Sequence, residues 1–506
     1  MGYLVSCILY LVSGQAHANN ISVTNVSLTE QSTSAQTVKV EFDISWDNSW
    51  RTSTNYDAAW VFIKYSTDGG TTWAHATLKT SGTNPTNFSQ GTGTGLDIIV
   101  PTDKKGAFLR RSANGSGSVN TDDIQFVWDW GADGLSASTT ARVKVFAIEM
   151  VYIPQGSFEV GDPDGTTGPT NCFYTYGSGG AYSITSEDAI NVGATDGYLY
   201  YDEDNTYDGD LGGPIPAAFP KGYNAFYLMK YEISQGQYTD FLNTLTRAQQ
   251  NTRTYTDVST DSITNVYVMS NTSSESHRNR ITCPSSGNGT SDPITFSTDR
   301  PDRACNYLSW ADGCAYADWA GLRPMTELEF EKAARGPSSA VAGEYAWGNT
   351  TITAAAAISG AEDGTETITT SGANCCYNNT TFSGGDGGTG PLRCGIFAKS
   401  TTTRTQAGAG YYGNMELSGN LWERCVTVGH STGRSFDGAH GDGALDTDGN
   451  ANVSNWPGTD AIGAGCRGGM WFYNAATCRI ADREEGAKVS ADRVDTYGFR
   501  CARTAP

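Results

Sequence analysis

At 506 residues the chain is too long for one ordinary domain, and two or three are expected. Only 17% of residues are charged, yet Asp and Glu outnumber Lys and Arg 54 to 33, giving a net charge of −21. Such a chain repels nucleic acid and anionic membranes, which argues against both as partners, and its Gly-rich, 11% aromatic composition suits extracellular β-rich or loop-rich folds that take up divalent cations.

The chain opens with "MGYLVSCILYLVSGQAHA", an apolar run followed by Ala-His-Ala, which reads as a secretion signal over residues 1–18. It lacks the usual basic leader, and a buried N-terminal strand is the alternative reading. No other run approaches the roughly 18 apolar residues a membrane span needs, so a secreted protein without a span is expected. In an oxidising compartment most of the 12 cysteines should pair. No Cys-x-x-Cys occurs and Cys375–Cys376 is vicinal, which argues against zinc held by cysteine clusters.

Residues 19–147 read as an all-β domain. "VKVEFDISW" (38–46), "AAWVFIKYS" (58–66), "LDIIVP" (96–101), "IQFVWDW" (124–130) and "ARVKVFAIEM" (141–150) are short β-branched or aromatic runs, most alternating with a period of two. "STDGGTTW" supplies an Asp-Gly-Gly hairpin turn and resembles the turn of immunoglobulin-like or fibronectin-like modules. A β-sandwich is therefore expected, in a spacer or assembly role.

From residue 148 to 506 the texture is different. Long Gly/Asn/Ser/Thr stretches, notably 161–222, 250–300 and 355–412, separate few regular elements, and loops this long are functional or metal-stapled. Three helices are predicted. "SQGQYTDFLNTL" starts at Ser234 and places Tyr238, Phe241, Leu242 and Leu245 on one face; "SWADGCAYADWAG" runs from Ser309, with Asp312 three residues on, to Gly321. "TELEFEKAARG" carries a Thr326/Glu329 capping box and stops at Gly336.

These pieces, in this order, resemble the formylglycine-generating enzyme (sulfatase-modifying factor) family. The matching runs are "MVYIPQGSFEVGD", "FYLMKYEISQGQYTDFLN", "NYLSWADGCAYADWAGLRPMTELEFEKAARG", "YAWGN", "GNMELSGNLWE" and "RGGMW…GFRCAR". The resemblance implies an irregular α+β domain of the C-type-lectin-like kind, stapled by one or two calcium ions. The first calcium set falls on Glu416, the carbonyls of Gly419 and Leu421, and Glu423, with Glu416 standing where the family carries an amide or Asp. The second falls on Asn374, the carbonyl of Cys375, and Asp386. Hard oxygen donors of this kind suit calcium; a turn residue and a solvated charge are the plainer alternatives. Two further acidic loops, 202–210 and 446–452, read as solvated turns.

Family enzymes oxidise a substrate cysteine with two cysteines spaced Cys-x4-Cys after a Gly-Gly-x-Trp turn. Aligned on Gly468, Gly469 and Trp471, Cys478 takes the second position and Tyr473 the first. A phenol is a hard oxygen donor with a high pKa and cannot replace a thiolate toward Cu(I), so copper is not expected and the oxidase activity is in doubt. Cys478 is then a structural cysteine, or a reactive thiol activated by Arg479 and Arg483. The resemblance also implies a disulfide from Cys501 to the helix near 310–319, with Cys314 the matching partner and Cys305 the runner-up; Cys425 with Cys466, and Cys375 or Cys376 with Cys394, are further candidates.

The five histidines (His17, His75, His277, His430 and His440) are scattered, which argues against iron-dependent relatives. No Gly-x-Ser-x-Gly elbow accompanies any of them, so a serine hydrolase has no sequence support. The reading preferred here is a secreted, non-catalytic structural subunit that assembles with copies of itself into a filament, tube or surface layer. The alternatives are a ligand-display protein and a copper-dependent oxidase. The display protein would bind an extracellular protein or a glycan through residues 472–496, with Trp471, Tyr473, Asn474, Thr477, Arg479, Asp482, Arg483 and Glu484 as candidate contacts.

Overall fold

A computed structural model describes residues 20–164, 172–202, 207–379 and 381–506. The expected secretion signal at 1–18 lies outside them, as do residues 203–206 of the first acidic loop. The chain divides into two compact units, one comprising residues up to 53 and 58–148, the other 54–57 and 149–505.

The N-terminal unit is built of antiparallel strands. Thr37–Arg51 pairs with Ser22–Ser32 on one side and with Gly115–Trp128 on the other. Leu96–Val100 pairs with Ala107–Arg111, which continues onto residues 59–61. The two-residue period sends Val40, Phe42, Ile44 and Trp46 inward while Lys39, Glu41 and Asp43 stay partly exposed. Those apolar side chains join Val61, Ile63, Leu109, Phe126 and Trp128 in one buried cluster. The Asp-Gly-Gly turn forms as expected: the Asp68 carboxylate accepts from Thr71 N and Thr72 N, and Gly69 and Gly70 take φ of 83° and 105°.

Among the described residues, the second unit has four helices of at least seven residues, three two-stranded ribbons and two larger strand groups. In one sheet Phe226–Met229 lies between residues 150–153 and Cys501–Thr504, and the last strand also pairs with Arg323–Pro324. In the other, Trp422–Val426 pairs antiparallel with Ala464–Arg467 and parallel with Tyr497–Phe499. All three predicted helices form: α1 (Gln235–Leu242), α3 (Trp310–Trp319) and α4 (Glu327–Arg335). Ser234, Ser309 and Thr326 cap them, each in a reciprocal capping box. A further helix that was not expected, α2 (Arg247–Arg253), is capped by Thr246 and runs into the start of the 250–300 stretch. Gly313 in α3 lies against Phe499; a β-carbon there would come within 1.9 Å of the ring.

The long loops are held by arginine forks. Arg247 donates to five backbone carbonyls, those of Val258, Thr260, Asn288, Gly289 and Asp292. Arg303 binds Glu362 and Asp386, and Arg278 pairs with the same two acids, joining the 278–303 stretch to the 362–386 insertion. A planar fork with five donors satisfies several irregular carbonyls at once, which is the task expected of a metal in such loops. Among the described residues no helix is long and apolar enough to cross a membrane.

Candidate functional site

The strand Ala464–Arg467 delivers the chain to Gly468 and Gly469, whose φ values of 88° and 74° turn it sharply. A β-carbon on Gly469 would sit 2.7 Å from Cys478 Sγ, so the turn closes only over a glycine. Trp471 follows, 4% exposed, with its ring N–H donating to the Asp495 carbonyl at 3.2 Å. Beyond it Phe472 and Tyr473 are 49% and 39% exposed. Asn474 then caps a 3-10 turn, Ala475–Cys478, by accepting from Ala476 N.

The 372–379 segment clamps this loop. Asn379 N donates to the Trp471 carbonyl at 2.9 Å, and Asn378 N to that of Tyr473 at 2.8 Å. The Tyr473 ring stands edge-on to Trp422 at 6.2 Å, so its phenol belongs to the surface.

Cys478 is fully buried, with its thiol donating to the Asn474 carbonyl at 3.8 Å, and Cys375 lies near enough for the two sulfurs to influence each other. Ser418 ties the two together: Cys375 Sγ donates to the Ser418 carbonyl at 3.0 Å, and Ser418 Oγ donates to the Cys478 carbonyl at 2.7 Å. The sulfur absent from position 473 is thus supplied from a different loop. Nothing in the sequence spacing links 375 to 478; a vicinal Cys375–Cys376 pair inside a long insertion was the one available hint. Burial, reinforced by Cys478 itself, pushes the Cys375 thiol well above its ordinary range. Solvent-excluded thiols committed to backbone carbonyls do not fit a Cu(I) ion, which takes thiolates.

All eleven described cysteines are free thiols, so none of the expected disulfides is formed. For Cys425 and Cys466 the register explains why. Cys466 stands opposite Arg424, so Cys425, one residue on, points to the other face of the sheet. Cys314 and Cys501 are near enough to influence each other electrostatically but stay unbonded. Cys305 instead donates to the Asn306 carbonyl, and Cys394 to that of Glu232.

At the first expected calcium set, both Glu423 oxygens accept from the Arg500 guanidinium at 2.9 Å. One Glu416 oxygen accepts from Gly395 N at 2.6 Å; the other is buried without a hydrogen-bond partner. Glu232 joins them, binding Leu421 N and the Asn420 amide. Three buried carboxylates therefore surround one guanidinium, and burial is the first cause raising all three above the usual range, Glu416 to about 7. With Glu423 saturated, the set serves Arg500 and does not fit calcium as it stands.

The second set is not brought together on a shared centre. Asn374 Oδ1 accepts from Thr353 N, the Cys375 carbonyl from Ala355 N, and Asp386 binds Arg303 at 2.7 Å. In the 446–452 loop Asp446 Oδ1 accepts from Asp448 N and Asn450 N, closing a turn. In the other acidic loop Asp210 pairs with Arg434.

Several expected display residues are structural. Arg483 is fully buried, bonded to Glu327 at 2.7 Å and sandwiched by Phe173 and Tyr201 at 4.1 and 4.4 Å. Glu327 also binds Arg467 at 3.0 Å and accepts from Val428 N. Thr477 and Asp482 are buried, and Arg479 is half-buried. Of the expected display residues, Tyr473, Asn474 and Glu484 are exposed, and Phe472 joins Tyr473 and Asn474 on the tip of the loop.

Comparison with known proteins adds the following. Residues 136–505 match the family model of the sulfatase-modifying factor enzyme 1-like domain. A formylglycine-generating enzyme of Thermomonospora curvata is 33% identical over 139 residues, covering 26% of this chain and 36% of that protein. One of Streptomyces coelicolor is 51% identical over 53 residues, 10% of this chain and 16% of that protein. The matched stretches thus span well under half of these relatives. Among solved structures, Treponema denticola variable protein 1 aligns over 71% of this chain and 96% of its own, at a TM-score of 0.32 and 12% identity.

Proposed function

The chain belongs to the sulfatase-modifying factor enzyme 1-like domain family through residues 136–505, and from that premise we propose that it works by recognition rather than by oxidising thiols. In this reading it is a secreted protein in which an immunoglobulin-like sandwich precedes a C-type-lectin-like domain. The loop at 472–474 is its contact surface, and the partner is an extracellular protein or a glycan.

One observation carries the proposal. The first position of the family's cysteine pair holds an exposed tyrosine, flanked by an exposed phenylalanine, while the remaining Cys478 is fully buried. Large exposed aromatics on a loop pinned by backbone hydrogen bonds make favourable contact surface at low entropic cost. A thiol shut away from solvent, in contrast, offers nothing to a substrate.

The test compares the full chain with the Phe472→Ala/Tyr473→Ala variant on arrays of extracellular glycans and matrix proteins. Loss of binding at unchanged Tm supports the reading. Copper-dependent conversion of a cysteine peptide to an aldehyde, abolished by Cys478→Ser, overturns it. Self-assembly is the case in which the partner is a second copy, and sedimentation velocity of both proteins detects it.

A further inference from the structure

Next to Trp471, and outside the cysteine and carboxylate clusters, four polar side chains meet in a closed arrangement. Asp495 Oδ2 lies 3.2 Å from His277 Nε2. His277 Nδ1 lies 3.1 Å from Ser276 Oγ and 2.9 Å from the Tyr307 hydroxyl, and the two hydroxyls are 2.9 Å apart. With Nε2–H donated to Asp495, the Nδ1 lone pair faces both hydroxyls.

The backbone is built to hold this geometry. Asn306 is fully buried, and its side-chain amide donates to the His277 carbonyl at 2.9 Å and the Asp495 carbonyl at 3.0 Å. Asn279 donates to Asn306 Oδ1 at 3.0 Å, and Tyr307 N to the Val494 carbonyl at 3.1 Å. Three bulky residues take left-handed φ at this spot: His277 at 44°, Arg278 at 63° and Tyr307 at 61°. Such conformations cost energy and persist where the surroundings enforce them, commonly at working sites. The side chains of His277 and Asp495 are 37% and 24% exposed, so solvent and ligand reach them. The other charges alongside are paired elsewhere, Glu275 with Arg280 and Arg278 with Glu362 and Asp386.

We propose that Ser276, His277 and Asp495, braced by Tyr307, form a nucleophilic relay in which Ser276 attacks acyl esters. As Ser276 Oγ bonds to the acyl carbon, its proton passes to His277 Nδ1, directly or through the Tyr307 hydroxyl. The imidazolium, stabilised by Asp495, returns that proton to the leaving alkoxide as the C–O bond breaks. Water, deprotonated by the same Nδ1, then releases the acid and restores Ser276. Ser276 is the nucleophile and His277 the base; Asp495 and Asn306 are positioning residues. The Trp471 ring, centred 5.5 Å from that of His277, and the exposed Phe472 beside it form an apolar wall for the ester's acyl or aryl part. The inference rests on the recognition reading for that wall alone. The sequence hid the relay because its members come from three distant stretches and lack the familiar elbow.

An alkyl fluorophosphonate tests it on the full chain, since a relay-activated serine displaces fluoride, which leaves as the Ser276 proton moves to Nδ1. Peptide mass spectrometry is expected to find Ser276 phosphonylated, at a rate roughly 100-fold lower in His277→Gln, within the range of general-base effects. Asp495→Asn is expected to slow labelling and shift its pH profile while Tm stays constant. Phosphonylation of Ser276 in a full chain that binds no arrayed glycan or matrix protein would support the relay while the recognition reading fails, which separates the two. An unlabelled Ser276 in the folded chain, or equal labelling in His277→Gln, overturns the proposal.

Discussion

Cys375 and Cys478 are joined through Ser418, whose carbonyl accepts from the Cys375 thiol and whose hydroxyl donates to the Cys478 carbonyl, although the two cysteines lie far apart in the chain. The arrangement brings two sulfurs together beneath the Gly468–Gly469 turn, the second from another loop, and both are shut away from solvent. It follows that an aromatic disulfide reagent should not modify either cysteine in the native protein and should modify both after unfolding. Rapid native labelling of Cys478, read by peptide mapping, would contradict the buried assignment.

The Glu327 carboxylate is held by two arginines with no access to water. Arg483→Met removes one of them and two cation–π contacts, leaving a buried charge partly uncompensated. The expected loss is about 3 to 5 kcal/mol in denaturant unfolding, the range for breaking a buried ion pair from one side. A loss under about 1 kcal/mol would mean that Arg483 is not structural, and would return it to the display surface.

Glu416 sets a pH dependence. Burial chiefly, opposed by Arg500 and Gly395 N–H and reinforced by Glu423, raises it from 4.5 to about 7. Between those values the folded chain keeps a proton that the unfolded chain releases, so stability falls as pH rises through this window, by on the order of 3 kcal/mol for this group alone. Asp482, raised by burial to about 7, acts in the same direction. Glu416→Gln should flatten part of the slope and raise Tm at neutral pH. With Arg500 saturating Glu423, neither chelation nor added calcium should move Tm. A calcium-dependent rise at neutral pH, lost in Glu416→Gln, would assign the ion to this site.

Local signals were legible in the sequence. Ser234, Ser309 and Thr326 each announce a helix because a cap and its third-residue partner are read from four consecutive positions. The alternation at 38–46 likewise fixes which side chains enter the N-terminal core. Features that need partners far along the chain were not legible. Arg483 looks like a displayed cation until Glu327, 156 positions away, closes over it. Cys425 and Cys466 look bondable until the strand register sends them to opposite faces. Arg247 gives no sign of the five carbonyls it gathers, and α2 starts from a Thr246/Gln249 box just before the 250–300 stretch that reads as loop.

The central claim concerns Phe472 and Tyr473. The most direct measurement is quantitative binding of the full chain and its Phe472→Ala/Tyr473→Ala variant to arrayed extracellular glycans and matrix proteins. Both side chains are exposed, so the substitutions should leave Tm unchanged. The account predicts binding by the full chain and at least a roughly tenfold loss in the variant, within the range of aromatic hot spots. Undiminished binding by the variant would contradict it.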